Sequence, residues 1–289
     1  MIKGGEFLIK NQEASDIFIM EDFSEDQLMM ASATKEFVEK ELDPHRERFE
    51  KKDYKLTEDC MKKAGELGLL GISVPEEYGG MGMPFNTSAL ICDKISGANG
   101  SFSTAFGAHT GIGTLPILLY GDGEQRKKYL PKLATGEWMS CYCLTEPGAG
   151  SDANSGKTTA VLTEDGKHYL ITGQKMWISN AGFADVFIVF ARIEDDKNIT
   201  GFILEKGMEG ITLGEEEHKL GLHSSSTRQV FFNEVKVPAE SLLGGRGNGF
   251  KIAMNALNVG RIKLSAAILD ACRRVIGLSA NYANERVQF

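Results

Sequence analysis

Two short stretches concentrate the residue types that can hold a ligand and act on it. Tyr142-Cys143-Leu144-Thr145-Glu146-Pro147-Gly148-Ala149-Gly150-Ser151-Asp152 leaves a strand pattern and enters a glycine-rich loop. Exposed backbone N–H groups and two hydroxyls converge there, which suits an anion or the polar edge of a heterocycle. Met176-Trp177-Ile178-Ser179-Asn180 ends a second strand pattern and sets a large aromatic face two residues from a hydroxyl. A stacked ring with an in-plane hydrogen bond needs that combination. Alone, the loop reads as an ordinary β turn and Trp177 as a core tryptophan; the pair of them is what points to a site.

Other patterns do not survive inspection. Gly156-Lys157-Thr158 looks like the end of a phosphate-binding loop, but Ser151 stands where the first glycine belongs and a strand pattern follows instead of a helix. Gly245, Gly247 and Gly249 mimic a dinucleotide fingerprint, yet Phe250 takes the third glycine's place and no βαβ unit surrounds it. The five histidines are scattered, without the spacing of a metal site, and His109 among small residues reads as a hydrogen-bonded interior side chain. No metal is expected. The five cysteines are odd in number and lack paired spacing, which fits reduced thiols in a cytosol-like compartment. A net charge of -8 makes nucleic acid a poor partner.

The elements around these residues are legible from periodicity. A helix from Ser24 to before Pro44 opens on a Ser24/Gln27 capping pair and turns Leu28, Ala31, Phe37, Val38 and Leu42 inward. A second, from Thr57, buries Met61, Ala64 and Leu67 and stops at Gly68. Residues 101–119, rich in small residues around Phe102, Phe106, Ile112 and Leu115, read as a core helix. Strand patterns then occupy 139–145, 157–162, 168–178, 186–192, 201–204 and 230–237. From Asn248 the pattern returns to helix and runs without a stop to Phe289. A single helix of about 40 residues would be roughly 60 Å long and would need further protein, or a second chain, to cover its apolar face. The expected fold class is α+β multidomain. Residues 1–22 form an N-terminal extension and 23–137 an N-terminal α-helical bundle. Residues 138–245 form a middle antiparallel β domain, and 246–289 begin a C-terminal α-helical domain that is cut short. Neither a signal or transit peptide nor an integral membrane segment of about 20 apolar residues is expected, which favours a cytoplasmic location.

CLTEPGAGSD, KMWISNAG, the Tyr129-Leu130-Pro131-Lys132-Leu133 segment with Gly136-Glu137, Glu234-Val235-Lys236-Val237-Pro238 and the Gly249-Phe250-Lys251 helix start resemble, in order and spacing, the acyl-CoA dehydrogenase family. Asn258-Val259-Gly260-Arg261 is most similar to the branch handling long and very long acyl chains. The resemblance implies FAD-dependent oxidation of the Cα–Cβ bond of an acyl-CoA substrate, with electron-transfer flavoprotein as electron acceptor. It also implies flavin contacts from Tyr142, Cys143, Leu144, Thr145 and Gly150, with Ser151 reaching the CoA side. Trp177 and Ile178 would pack at the ring and Ser179, where many relatives carry Thr, would bond near N5. Asn258 and Arg261 match a substrate-contacting pair. Arg286 and Gln288 match a helix end that reaches the FAD of a neighbouring subunit, implying a homodimer or homotetramer. No catalytic residue is expected within the chain: Gly260 stands where some relatives place the base, so the base is expected beyond Phe289. Two alternatives share this scaffold, a flavin monooxygenase or nitroalkane oxidase and a non-catalytic binding or assembly protein.

Overall fold

A computed structural model describes residues 5–288. Residues 5–22 form short turns that bury nothing. Helix α1 (Glu25–Phe37) starts on the expected reciprocal cap, with Gln27 N–H donating to Ser24 Oγ at 3.3 Å and Ser24 N–H to Gln27 Oε1 at 3.0 Å. Ala31, Phe37, Val38 and Leu42 are buried, but Leu28 is 48% exposed. The inward place at this end belongs to Gln27, whose side-chain amide donates to Thr87 Oγ1 at 2.6 Å. After α2 (Arg46–Glu50) comes α3 (Tyr54–Glu66), which begins a turn earlier than its periodicity suggests because Asp53 Oδ1 accepts from Leu56 N–H at 2.9 Å. It ends at Gly68, φ +73°, leaving Leu67 exposed. Helices α4 (Phe85–Ser96) and α5 (Gly100–Gly107) complete a core around Phe49, Met61, Ile91, Phe102 and Phe106, while α6 (Leu115–Tyr120) and α7 (Gly123–Thr135) pack Ile117, Leu130 and Leu133 toward the sheet. The stretch read as one core helix is thus α5 and α6 joined by a wider π-type turn at Ala108–Gly113.

Strands β1 (Ser140–Cys143), β2 (Thr159–Leu162), β3 (His168–Ser179), β4 (Val186–Ile193), β5 (Thr200–Glu205), β6 (Ile211–Glu216), β7 (Thr227–Pro238) and β8 (Leu242–Leu243) form one sheet in the order β6-β7-β3-β2-β4-β5-β8. Most neighbours are antiparallel, as expected, but β1 and β2 both run parallel to β4. They lie end to end along its edge: β1 pairs with Val186–Val189 and β2 with Arg192 and Ile193. The glycine-rich loop spans the gap between them. Strand β6 escapes the sequence pattern because its residues ITLGEE are half polar with none buried at the sheet edge, and β8 because it is only two residues long.

The C-terminal stretch is not one helix. Helix α8 (Gly249–Ala266) and helix α9 (Leu269–Glu285) meet at a break over Ala267 and Ile268. Ion pairs draw α9 toward the N-terminal helices: Arg273 Nη1 donates to Asp93 Oδ1 at 2.8 Å and Arg274 lies 3.6 Å from Asp43. Taken as one span, Gly249–Glu285 is by length and composition alone apolar enough to cross a membrane. Within the fold, Ile252 and Ala253 of α8 pack on the sheet, whereas no residue of α9 is buried. Gly249 fixes the start of α8 against β5. Its N–H donates to Ile199 C=O at 2.8 Å, and a Cβ there would stand 2.6 Å from that oxygen. Gly249→Ala is therefore expected to destabilise the chain by about 1–3 kcal/mol through overpacking. The check is a denaturant titration showing a lower midpoint at unchanged slope; an unshifted midpoint would contradict the contact.

Candidate functional site

The ends of β1 and β3 are tied together twice. Met176 N–H donates to Thr145 C=O at 2.9 Å. Beside it, Lys175 Nζ donates to Glu146 Oε1 at 2.7 Å and to Leu144 C=O at 3.2 Å, with side chains only 2% and 7% exposed. Glu146 also accepts from the N–H groups of Lys157 (2.6 Å) and Thr158 (3.0 Å), and its backbone pairs with Ala149. One carboxylate thereby closes the glycine-rich loop at both ends. Burial alone would raise the Glu146 pKa, but the Lys175 charge and the hydrogen bonds outweigh it and hold Glu146 below the usual carboxylate range. Burial likewise pushes Lys175 down, opposed by Glu146.

Strand alternation then decides which side chains face the cavity. Tyr142 and Leu144 point toward α8, where the Tyr142 hydroxyl donates to Ala253 C=O at 3.2 Å and burial keeps the phenol protonated. Cys141 and Cys143 point the other way into the sheet core, their sulfurs 3.9 Å apart. Cys143 therefore offers the site only its backbone. On β3, the pairing with β7 skips between Lys175 and Ile178, so Met176 and Trp177 face a single residue across the ladder. This bulge, with Trp177 at φ +62°, turns the indole out of the sheet and leaves it 56% exposed. Ile178 is buried beneath and Ser179 half-buried beyond it.

A cavity of about 320 Å³ results, and Tyr142, Leu144, Thr145, Gly150, Ser151, Trp177, Ile178, Ser179 and Arg261 all line it. That volume is at the lower end for small-molecule sites. Asn258 stands behind the wall and accepts from Arg261 Nη1 at 2.7 Å. Arg286 and Gln288 are not brought to this cavity: Arg286 Nη1 donates to Tyr282 Oη at 2.6 Å, and Gln288 Nε2 to Val287 C=O at 2.8 Å. Sequence reasoning missed Ile112, Met254 and Leu257, which also line the cavity. Their helical spacing looks like core, and only the meeting of three elements makes them walls. Neither Asp, Glu nor His lines the cavity among the described residues.

His109 is a positioning group, as its surroundings in the sequence suggested. Nδ1 accepts from Ser140 N–H at 3.1 Å while Nε2 bonds Leu133 C=O at 3.0 Å, fixing the start of β1 on the helical part. Burial pushes its pKa down to about 4, so the ring is neutral.

Two measurements check the ion pair. Glu146→Gln leaves a buried ammonium without its counter-charge and is expected to cost about 3–5 kcal/mol, whereas Glu146→Gln with Lys175→Met costs less than the two changes summed. Additive values in a double-mutant cycle would contradict the pairing. Because Glu146 titrates lower folded than unfolded, its stabilisation is present above its unfolded pKa and lost as pH falls through the folded value. The acid limb of stability against pH is expected to flatten in Glu146→Gln; an unaltered limb would count against the assignment.

Family models for the N-terminal, middle and C-terminal domains of acyl-CoA dehydrogenases match residues 24–137, 141–235 and 247–289. A probable acyl-CoA dehydrogenase of Bacillus subtilis (strain 168) is 50% identical over 287 residues, covering 99% of this chain and 48% of that protein. The mitochondrial very long-chain specific acyl-CoA dehydrogenase of Homo sapiens is 44% identical over 232 residues, covering 78% of this chain and 35% of that one. Among solved structures, an acyl-CoA dehydrogenase complexed with FAD from Bacillus anthracis superposes with a TM-score of 0.95 at 48% identity, covering 100% of this chain and 50% of that chain. The chain thus spans about half the length, or less, of these three relatives. With all three domain models matched in order around the cavity, the chain belongs to the acyl-CoA dehydrogenase family.

Proposed function

We propose that the protein acts in FAD-dependent α,β-dehydrogenation, converting an acyl-CoA thioester to its trans-2-enoyl-CoA. The observation that carries this reading is the convergence of Thr145, Ser179 and the outward face of Trp177 on one cavity. The residues fit a flavin. Among the described residues Trp177 stacks on no other ring, although a strained backbone turns it into the cavity. An indole left without a partner in this way suits a flat heterocycle.

When bound, FAD supplies the acceptor for the hydride leaving Cβ. The chain's own residues hold and shield. The end of β1 offers its amides and the Thr145 hydroxyl to the polar edge of the ring, Trp177 covers the ring system and keeps water off it, and the Ser179 hydroxyl donates near its reacting side. Ser151 faces the CoA portion of the substrate, and Arg261, steadied by Asn258, orients the thioester. With no carboxylate or histidine on the cavity wall, the group that takes the α proton is assigned outside the described residues. Electron-transfer flavoprotein is the proposed electron acceptor and the cytoplasm the proposed location. The assembly is proposed to be a homodimer or homotetramer in which Arg286 and Gln288 reach a neighbouring subunit's FAD. The missing wall carboxylate also supports a second reading, a flavin-binding protein without turnover.

Two experiments test this. In a Trp138→Phe background, where Trp177 is the remaining tryptophan, FAD is expected to quench indole fluorescence, and Trp177→Ala is expected to weaken FAD binding by about 1–3 kcal/mol, the worth of one aromatic stack. Unchanged affinity would remove Trp177 from the site. The protein, expressed with whatever its reading frame carries after Phe289, is expected to pass electrons from acyl-CoAs to ferricenium. Flavin binding with no reduction by any acyl-CoA would favour the non-catalytic reading.

A further inference from the structure

One inward-facing position of α8 carries the wrong kind of residue for a core. The helix buries Gly249, Ile252, Ala253, Ala256 and, continuing that register, Lys263, which is 5% exposed. Lys263 Nζ donates to Thr110 Oγ1 at 2.7 Å, and the Thr110 hydroxyl hydrogen is already committed to Phe106 C=O at 2.8 Å. Among the described residues no carboxylate lies within ion-pair distance of Lys263, unlike Lys175, which is also buried and is paired with Glu146. Buried cations are ordinarily paired or richly hydrogen-bonded, because an uncompensated one is costly. The ammonium has three donors, and Thr110 takes one of them.

Lys263 lines a second cavity, of about 290 Å³, between α4, α5 and α8. This cavity shares Ile112, Ser179, Leu257 and Arg261 with the first, so the two adjoin at Ser179. Beyond the shared residues its walls are mostly small and apolar, including Gly107, Ala108 and Gly260. An acyl chain whose thioester lies at Ser179 and Arg261 has this space to enter, and meets an under-occupied donor there.

We propose that Lys263 is a specificity-determining residue that selects acyl groups carrying an oxygen acceptor, carboxylate or hydroxyl, at the carbon that reaches it, over all-hydrocarbon chains of equal length. This deepens the acyl-CoA reading and rests on it. A hydrocarbon terminus leaves the donor unfilled, whereas an oxygen terminus fills it, and a site built to bond a polar group rejects an analogue that lacks it.

The test uses the flavin-loaded protein, expressed with whatever its reading frame carries after Phe289, with CoA monothioesters of matched length in three series: alkanoyl, ω-hydroxyalkanoyl and ω-carboxyalkanoyl. The quantity read is the ratio of kcat/KM for each oxygenated series to that for the alkanoyl series. At the length that spans the cavity the ratio is expected to reach about tenfold or more in favour of an oxygenated chain, the two oxygenated arms showing whether full charge is needed. Lys263→Met is expected to abolish the preference through KM with kcat on alkanoyl-CoA retained, and Lys263→Arg to keep it. Should the methionine variant fail to fold, Lys263→Gln is read against wild type in the same way. A wild-type preference for alkanoyl chains at every length, or a ratio unaltered by removing the ammonium, overturns the role of Lys263 while leaving dehydrogenation standing. No flavin reduction by any thioester rejects the dehydrogenase reading and this proposal with it.

Discussion

The ion pair between Lys175 and Glu146 sets how far apart the ends of β1 and β3 stand, and the rest of the site is built on that separation. Bringing both charges out of water costs several kcal/mol each, so the arrangement holds only where hydrogen bonds complete it. Glu146 meets that condition with two backbone amides beyond the gap in the sheet, and Lys175 with the Leu144 carbonyl just past β1. The glycine-rich loop is consequently tethered to β3 and cannot drift from it. Neither charged residue lines the cavity; they place the residues that do.

The second constraint is backbone strain at the end of β3. Trp177 and Asn180 both adopt positive φ, a conformation that non-glycine residues reach at a cost of about 1–3 kcal/mol. Contacts on either side hold them there. Met176 is bonded to Thr145, while Asn180 N–H donates to Ser226 C=O and Asn180 Nδ2 to Ala105 C=O of α5. The helical part thus braces the turn that presents Trp177 and Ser179. The neutral His109 braces β1 from the same side through Ser140. Helices read from the sequence as mere core therefore form half of the frame that aims the site.

Much of this was legible in residue order. Thr145, Trp177 and Ser179 carried recognisable chemistry, and Ser24/Gln27, Gly68 and the long strands β3 and β7 declared themselves through capping and period. What escaped was decided by tertiary contacts. Leu28 and Leu67 fit an inward stripe yet lie outside, Leu28 because Gln27 found polar partners on α4. The helix break at Ala267 bears no glycine or proline, and the helix beyond it is ion-paired to Asp93 and Asp43, far away in sequence. Cys143 sits in the most specific motif but alternation turns its side chain into the core. Lys175 and Glu146 look like surface charges in a list of residues, since nothing local announces that they are buried. Lys263 was hidden in the same way, inside a helical stripe.

The central claim is that a pair which need not touch the flavin holds the flavin's wall together. Its most direct measurement is the FAD dissociation constant of Lys175→Met, taken on protein whose circular dichroism shows the native fold. The account predicts a loss of affinity of about tenfold or more, equivalent to 1.4 kcal/mol. Wild-type affinity in a folded variant would contradict it.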